Sequence, residues 1–118
     1  MGKNSGHWGE VQAADYLRKH RYKLVSAGFT CRFGEIDLIV TDRRYVIFVE
    51  VKTREAPEPV QAREYVTKQK QGRLRTSAQV WLEQNPTKLQ PRFDVVEVYA
   101  PQGVDTKDPV IIHIENAF

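Results

Sequence analysis

A chain of 118 residues with 41% hydrophobic and 28% charged residues has the balance of one folded domain, which excludes disorder as its general state. A formal net charge of +3, with a sequence pI of about 9.1, admits a polyanionic partner without requiring one. A lone cysteine, Cys31, excludes an internal disulfide and a zinc site built from cysteine clusters. Phe29, Thr30 and Arg32 around it include no histidine to activate a thiolate, so a structural cysteine is expected.

Residues 1–6 lack the apolar core of a secretory leader, and Gly6 stands where a myristoylation signal needs Ser or Thr. No apolar run approaches the length of a membrane span. A cytoplasmic location is therefore expected.

The first element reads as a helix over 6–20, from the helical spacing of Trp8, Val11, Ala14 and Leu17. Asn4 or Ser5 is placed to cap it. Glu10 falls in line with Ala13, Ala14 and Leu17, so an acid is expected on the inward face. Three strands follow, over 22–31 with an interruption at Gly28, over 34–41, and over 45–53. The short polar link Thr41-Asp42-Arg43-Arg44 predicts an antiparallel hairpin between the second and third. A loop with Pro57 and Pro59 precedes a long helical stretch that starts near Val60 or Thr67 and stops before Asn85-Pro86. Leu74, Ala78, Trp81 and Leu82 form its apolar stripe, and Gly72 leaves open a division into two helices. A strand over 93–99, a loop over 101–108 and an edge strand over 110–114 complete an α/β arrangement of helices on a mixed sheet.

The third strand carries the chemistry. Val46-Ile47-Phe48-Val49 is apolar on both faces, as in a central strand, and then Glu50 appears with Lys52 on the same face. A buried carboxylate costs several kcal/mol in order of magnitude unless it is compensated. On the second strand Glu35, Asp37 and Ile39 share one face, and Ile36, Leu38 and Val40 the other. With Thr41 opposite Val46, the register sets Asp37 against Glu50. A hard divalent cation, Mg²⁺ or Mn²⁺, relieves the repulsion between two such acids. The backbone carbonyl of Val51 is a further ligand candidate, Glu10 an accessory acid, and Lys52 a group for the attacking water or developing charge. The same residues also suit a plain ion pair between Glu50 and Lys52 beside a solvated row of acids, and both readings stand at this level.

Gly34-Glu35-Ile36-Asp37-Leu38-Ile39 followed by Phe48-Val49-Glu50-Val51-Lys52-Thr53-Arg54 resembles the YraN-type family of small bacterial endonuclease-like proteins. Gly9-Glu10, Ala13 or Ala14 and Tyr16-Leu17 match its opening helix, Lys70 with Leu74, Ala78 and Leu82 its second helix, and Arg92-Phe93-Asp94-Val95-Val96 its late strand. That family is similar to archaeal Holliday-junction resolvases and to the PD-(D/E)xK nucleases. The resemblance implies a restriction-endonuclease-like αβββαβ core, to which the edge strand over 110–114 is an addition. It also implies metal ligands at Asp37 and Glu50, a catalytic Lys52, an accessory Glu10 and a DNA substrate. The literal proline of the motif is absent, since Gly34-Glu35-Ile36 precedes Asp37.

Lys68, Lys70, Arg73 and Arg75, with Arg63 against Glu64, make a basic stretch on the second helix, and Arg32, Arg43, Arg44 and Arg54 flank the hairpin. Such groups can hold phosphates around the site or form a solvated face. Lys70 is in line with Leu74 and Ala78 and should tilt toward the sheet. No helix-turn-helix or zinc-finger pattern accompanies them, so binding indifferent to base sequence, or selective for DNA structure, is expected, with a homodimer left open. Surface or structural roles are expected for His7, His20 and His113, and core packing for Trp8 and Trp81. Asp94 is expected either near the site or exposed on its strand.

Overall fold

The helical and alternating patterns resolve, in the computed structural model, into α1 (Ser5–Lys19), β1 (Lys23–Cys31), β2 (Gly34–Thr41), β3 (Tyr45–Arg54), α2 (Lys68–Gln84), β4 (Gln90–Tyr99) and β5 (Val110–Ile114), with a 3-10 turn at Gly103–Asp105. Residues 5–55 and 66–118 are described. A cap from Asn4 or the Ser5 side chain, the Pro57 and Pro59 loop, a helix start at Val60, and Arg63 with Glu64 fall outside them.

The strands form one five-stranded sheet in the order β1-β2-β3-β4-β5. β1, β2 and β3 run as an antiparallel meander, β4 lies parallel to β3, and β5 returns antiparallel at the far edge. A parallel pair cannot be joined by a tight turn, and α2 is the crossover between β3 and β4. Each face of the sheet has its own core. Ala13, Ala14 and Leu17 of α1 pack on Leu38, Val40, Ile47, Val49, Val96 and Val98. Leu74, Ala78 and Trp81 of α2 pack on Ile36, Ile39, Phe48, Phe93 and Val95. Each large apolar side chain so buried contributes roughly 1.5–3 kcal/mol before ordering costs. Among the described residues, no helix is long and apolar enough to cross a membrane.

Local chemistry sets the element ends. After α1, Arg21 takes a left-handed φ of 71°, and the N–H groups of Arg21 and Tyr22 close on the carbonyls of Arg18 and Leu17 at 3.1 and 3.0 Å. That pattern is a Schellman stop, and it shifts the start of the first strand from the predicted Tyr22 to Lys23. α2 begins on the Thr67 hydroxyl, which accepts from the Lys70 N–H at 3.1 Å. It continues unbroken through Gly72, so the division into two helices does not occur. β4 starts three residues earlier than predicted and includes Pro91. Proline is tolerated there because β5 pairs only from Val95 onward, which leaves the missing N–H of Pro91 at an open edge.

The hairpin register is the predicted one, Thr41 against Val46, and its ladder runs to Leu38 against Val49. The face assignment of β2 needs one correction. Ile36 packs on the α2 side, whereas Leu38 and Val40 pack on the α1 side. Residues two apart should share a face, so the alternation breaks at Asp37. Gly28 stands across from that break on β1, between the pairs Ala27–Leu38 and Phe29–Ile36. Its φ of 71° is accessible to glycine with no Cβ penalty. β1 is thus bent at Gly28 but not interrupted.

A candidate divalent-metal centre

Three elements deliver acids to the break in β2. Glu10 comes from α1, one position past Gly9, where the helix touches β3 so closely that a Cβ on Gly9 would lie 1.9 Å from Thr53 Oγ1. Only glycine permits that approach, and the approach brings Glu10 to the sheet. Asp37 lies one residue beyond the last pair of the β2–β3 ladder, and its Oδ2 accepts the N–H of Val51 at 2.8 Å. Glu50 is buried on β3.

Carboxylate oxygens of Glu10, Glu35 and Asp37 all lie within 4.8 Å of one another. Burial raises the Asp37 carboxyl most, and the charges of Glu50 and Glu10 add to it, against the Val51 N–H, so that its pKa is pushed up to about 8. Burial raises Glu10 as well, in spite of its hydrogen bond with Asp37. An acid that keeps its proton because it is buried, and beside other acids, is in a state that a divalent cation relieves. The donor set is all oxygen, which suits Mg²⁺ or Mn²⁺, and these residues can hold one.

Glu50 has a second cation beside it as well as the Lys52 expected there. Lys70 Nζ donates to its Oε1 at 2.5 Å, and Lys52 Nζ stands 3.6 Å from the same oxygen. Burial and the neighbouring Lys70 charge lower the Lys52 pKa, with Glu50 opposing them. The Glu50 bonds more than offset burial at Lys70 and raise it. The inward tilt read for Lys70 is therefore correct, and its partner is Glu50. Glu35 had no assigned role beyond sharing a face with Asp37, and because the alternation of β2 breaks at Asp37 that pattern does not account for its place in the cluster.

The acids open on two sides. A cleft of about 490 Å³ on the α2 side is lined by Glu35, Asp37, Glu50, Lys70 and Arg73 among others. Another, of about 420 Å³ on the α1 side, is lined by His7, Glu10 and Glu35. Solvent-sized groups thus reach the acids from both faces of the sheet.

The basic residues separate into groups. Arg73 lines the α2-side cleft, and Lys68 is exposed in the first turn of α2. Arg32 lies at the β1–β2 turn with its guanidinium 4.7 Å over the Phe33 ring. Arg54 is largely buried, 3.7 Å from Glu97 Oε2. Arg75 is turned away, over the rings of Phe93 and Phe118 at 4.9 and 5.6 Å. Arg43 and Arg44 do not surround the acids. They sit in the hairpin turn, where Asp42 accepts the N–H groups of Arg44 and Tyr45, at the end of the ladder away from Asp37.

Other single residues fall out as follows. Cys31 donates to Ser77 at 3.4 Å and ties the end of β1 to α2, a structural role. Trp81 is buried edge-on to Phe48, and Trp8 packs against the α1-side core. Asp94 is neither exposed nor bonded to the acids. It is fully buried and takes both Arg92 Nε and Nη2, at 2.9 and 2.8 Å, with His113 Nε2 at 2.7 Å and the Asn116 N–H at 2.9 Å. His113 thereby secures β5 to the sheet, and His20 closes on its own helix through the Tyr16 carbonyl.

Comparison with known proteins agrees with the sequence resemblance. The family described as "Uncharacterised protein family UPF0102" matches over residues 9–98, which include every acid of the site. A UPF0102 protein of Syntrophomonas wolfei is 39% identical with 100% of both chains covered. One of Caldanaerobacter subterraneus is 42% identical over 98% of this chain and 95% of its own. One of Photobacterium profundum is 42% identical over 84% and 82%.

Proposed function

The chain belongs to the UPF0102 family, the YraN type, and on that premise we propose that it is a Mg²⁺- or Mn²⁺-dependent endonuclease that hydrolyses phosphodiester bonds of DNA. The observation that carries the proposal is the crowding of Glu10, Glu35 and Asp37 beside Glu50, with one carboxyl held protonated up to about pH 8. A carboxyl whose pKa is strongly perturbed by burial and by named charge partners, set in a cleft, is the kind of group that functional sites use.

Asp37 and Glu50 are the proposed ligands, with Glu10 and the Val51 carbonyl completing the set. A divalent cation held there supplies a water of lowered pKa and a counter-charge for a phosphate oxygen. Lys52, on the strand beside Glu50, orients the attacking water or meets charge developing on the scissile phosphate. Lys68, Arg73 and Arg32 draw the phosphate backbone toward the α2-side cleft, with Lys70 available once the cation engages Glu50. All of these contacts are to phosphate, so selectivity would follow the shape of the DNA, such as a branch or a damaged site, and not its base sequence.

A second reading has an observation of its own. Lys70 and Lys52 together neutralise Glu50, as in a nucleic-acid-binding module that has no need of metal. Incubation with single-stranded, duplex and four-way-junction DNA, with and without Mn²⁺, separates the two. Metal-dependent cleavage that disappears in Asp37→Asn and falls at least ~100-fold in Lys52→Ala supports the enzyme. Salt-dependent binding with no cleavage in any metal supports the module.

A further inference from the structure

We propose that Lys70 is a displaceable stand-in for the cation, and that it leaves Glu50 for a substrate phosphate when the metal arrives, so that metal and DNA bind cooperatively. This rests on the metal-dependent reading above and adds a linkage that the reading does not contain.

Two ammonium groups converge on one carboxylate oxygen, Lys70 at 2.5 Å and Lys52 at 3.6 Å from Glu50 Oε1. One unit of negative charge on Glu50 is thus opposed by two of positive charge. A divalent ion ligated by Glu50 brings two more positive charges to the same oxygen, and the three cations cannot all remain. The geometry decides which one yields. Lys52 projects from β3 within the sheet, and its side chain is 25% exposed. Lys70 projects from the first turn of α2, and its side chain is 41% exposed on a four-carbon stem. It needs only rotamer changes to swing into the α2-side cleft, which it already lines with Arg73. A phosphate entering that cleft offers the released ammonium a new partner. Linkage then works in both directions: phosphate draws Lys70 from Glu50 and strengthens metal binding, and metal frees Lys70 and strengthens phosphate binding.

Mn²⁺ titrated into the full chain by calorimetry tests this without reference to turnover. Lys70→Gln removes the competing charge and is expected to bind Mn²⁺ roughly tenfold more tightly than the wild type, within the usual span for coupled sites. Lys70→Arg keeps a competing cation and should stay near the wild-type affinity. A short phosphorothioate oligonucleotide, which keeps the phosphate charge and resists hydrolysis, should tighten Mn²⁺ binding to the wild type by more than it tightens binding to Lys70→Gln, where only the direct attraction between metal and phosphate remains. Thermal melts of both variants verify folding. Equal or weaker Mn²⁺ binding by a folded Lys70→Gln overturns the proposal, as does an oligonucleotide effect that is undiminished in that variant. If the wild type still cleaves DNA with Mn²⁺ in that event, the displacement alone is wrong. If neither protein binds Mn²⁺, the metal-dependent reading falls with it.

Discussion

Replacing Asp37 by asparagine should stabilise the metal-free protein at alkaline pH. In the unfolded chain the Asp37 carboxyl releases its proton near 3.8, while in the folded chain it holds the proton to about 8. Between those values the folded state binds more protons than the unfolded state, so each unit of rising pH removes up to ~1.4 kcal/mol of stability. The full gap sets a ceiling of roughly 5–6 kcal/mol at 1.36 kcal/mol per unit. Glu10 shares the proton and the clefts admit water, so about 2 kcal/mol is the working figure. Asparagine reproduces the protonated acid: its oxygen still accepts from the Val51 N–H, and its amide still donates to Glu10. In chelator-treated protein the variant should match the wild type near pH 4 and melt about 8 °C higher at pH 8. Saturating Mn²⁺ should reverse the order, since a ligand at 100 times its Kd adds ~2.7 kcal/mol to the state that binds it. Urea denaturation at several pH values, with and without Mn²⁺, measures all of this. A variant that gains nothing between pH 4 and pH 8 refutes the reasoning.

The other expectations test the frame around the acids. Gly9→Ala should cost about 2 kcal/mol or more in denaturation experiments, because the new methyl meets Thr53 Oγ1, and Thr53→Ala in the same chain should restore part of it. Asp94→Ala should cost roughly 3–5 kcal/mol, because it leaves the buried Arg92 with only the exposed Glu115 carboxylate, 3.9 Å away. Burial works to raise the Asp94 carboxyl, but hydrogen bonds from His113, Arg92 and the Asn116 N–H outweigh it and hold the pKa below the ordinary carboxylate value. That contribution is therefore complete above about pH 4 and is lost as pH falls through the depressed value, so acid unfolding of the wild type should include a loss that Asp94→Asn lacks. Thr67→Ala should lower the melting temperature by a few degrees, about 1 kcal/mol, through loss of the α2 cap.

What the sequence discloses follows from how local each determinant is. The hairpin is legible because a short polar link joins two largely apolar runs and sets Thr41 against Val46, and that register is found. Glu50 stands out because the strand before it is apolar on both faces. The Glu10 position is legible from helical spacing with Ala13, Ala14 and Leu17, all of which are buried. Contacts set by tertiary packing are not legible in the same way. Lys70 meets Glu50 across 20 positions of chain, and helical phase shows only that it tilts inward. The approach of Glu35 to Glu10 accompanies a change of face at Asp37 opposite a left-handed Gly28, where alternation stops being a guide. Asp94 looks like any strand acid until β5, which follows the loop and 3-10 turn, supplies His113. Pro91 argues against a strand in isolation, and only the short reach of β5 makes it acceptable.

Anomalous scattering from a crystal soaked in Mn²⁺ addresses the metal centre most directly. The expected result is one ion bonded to carboxylate oxygens of both Asp37 and Glu50 at ~2.1 Å, with Lys70 withdrawn from Glu50. An ion held by Glu10, Glu35 and Asp37 while Lys70 remains on Glu50, or no ion near these acids in a crystal that has taken up Mn²⁺ elsewhere, would contradict it.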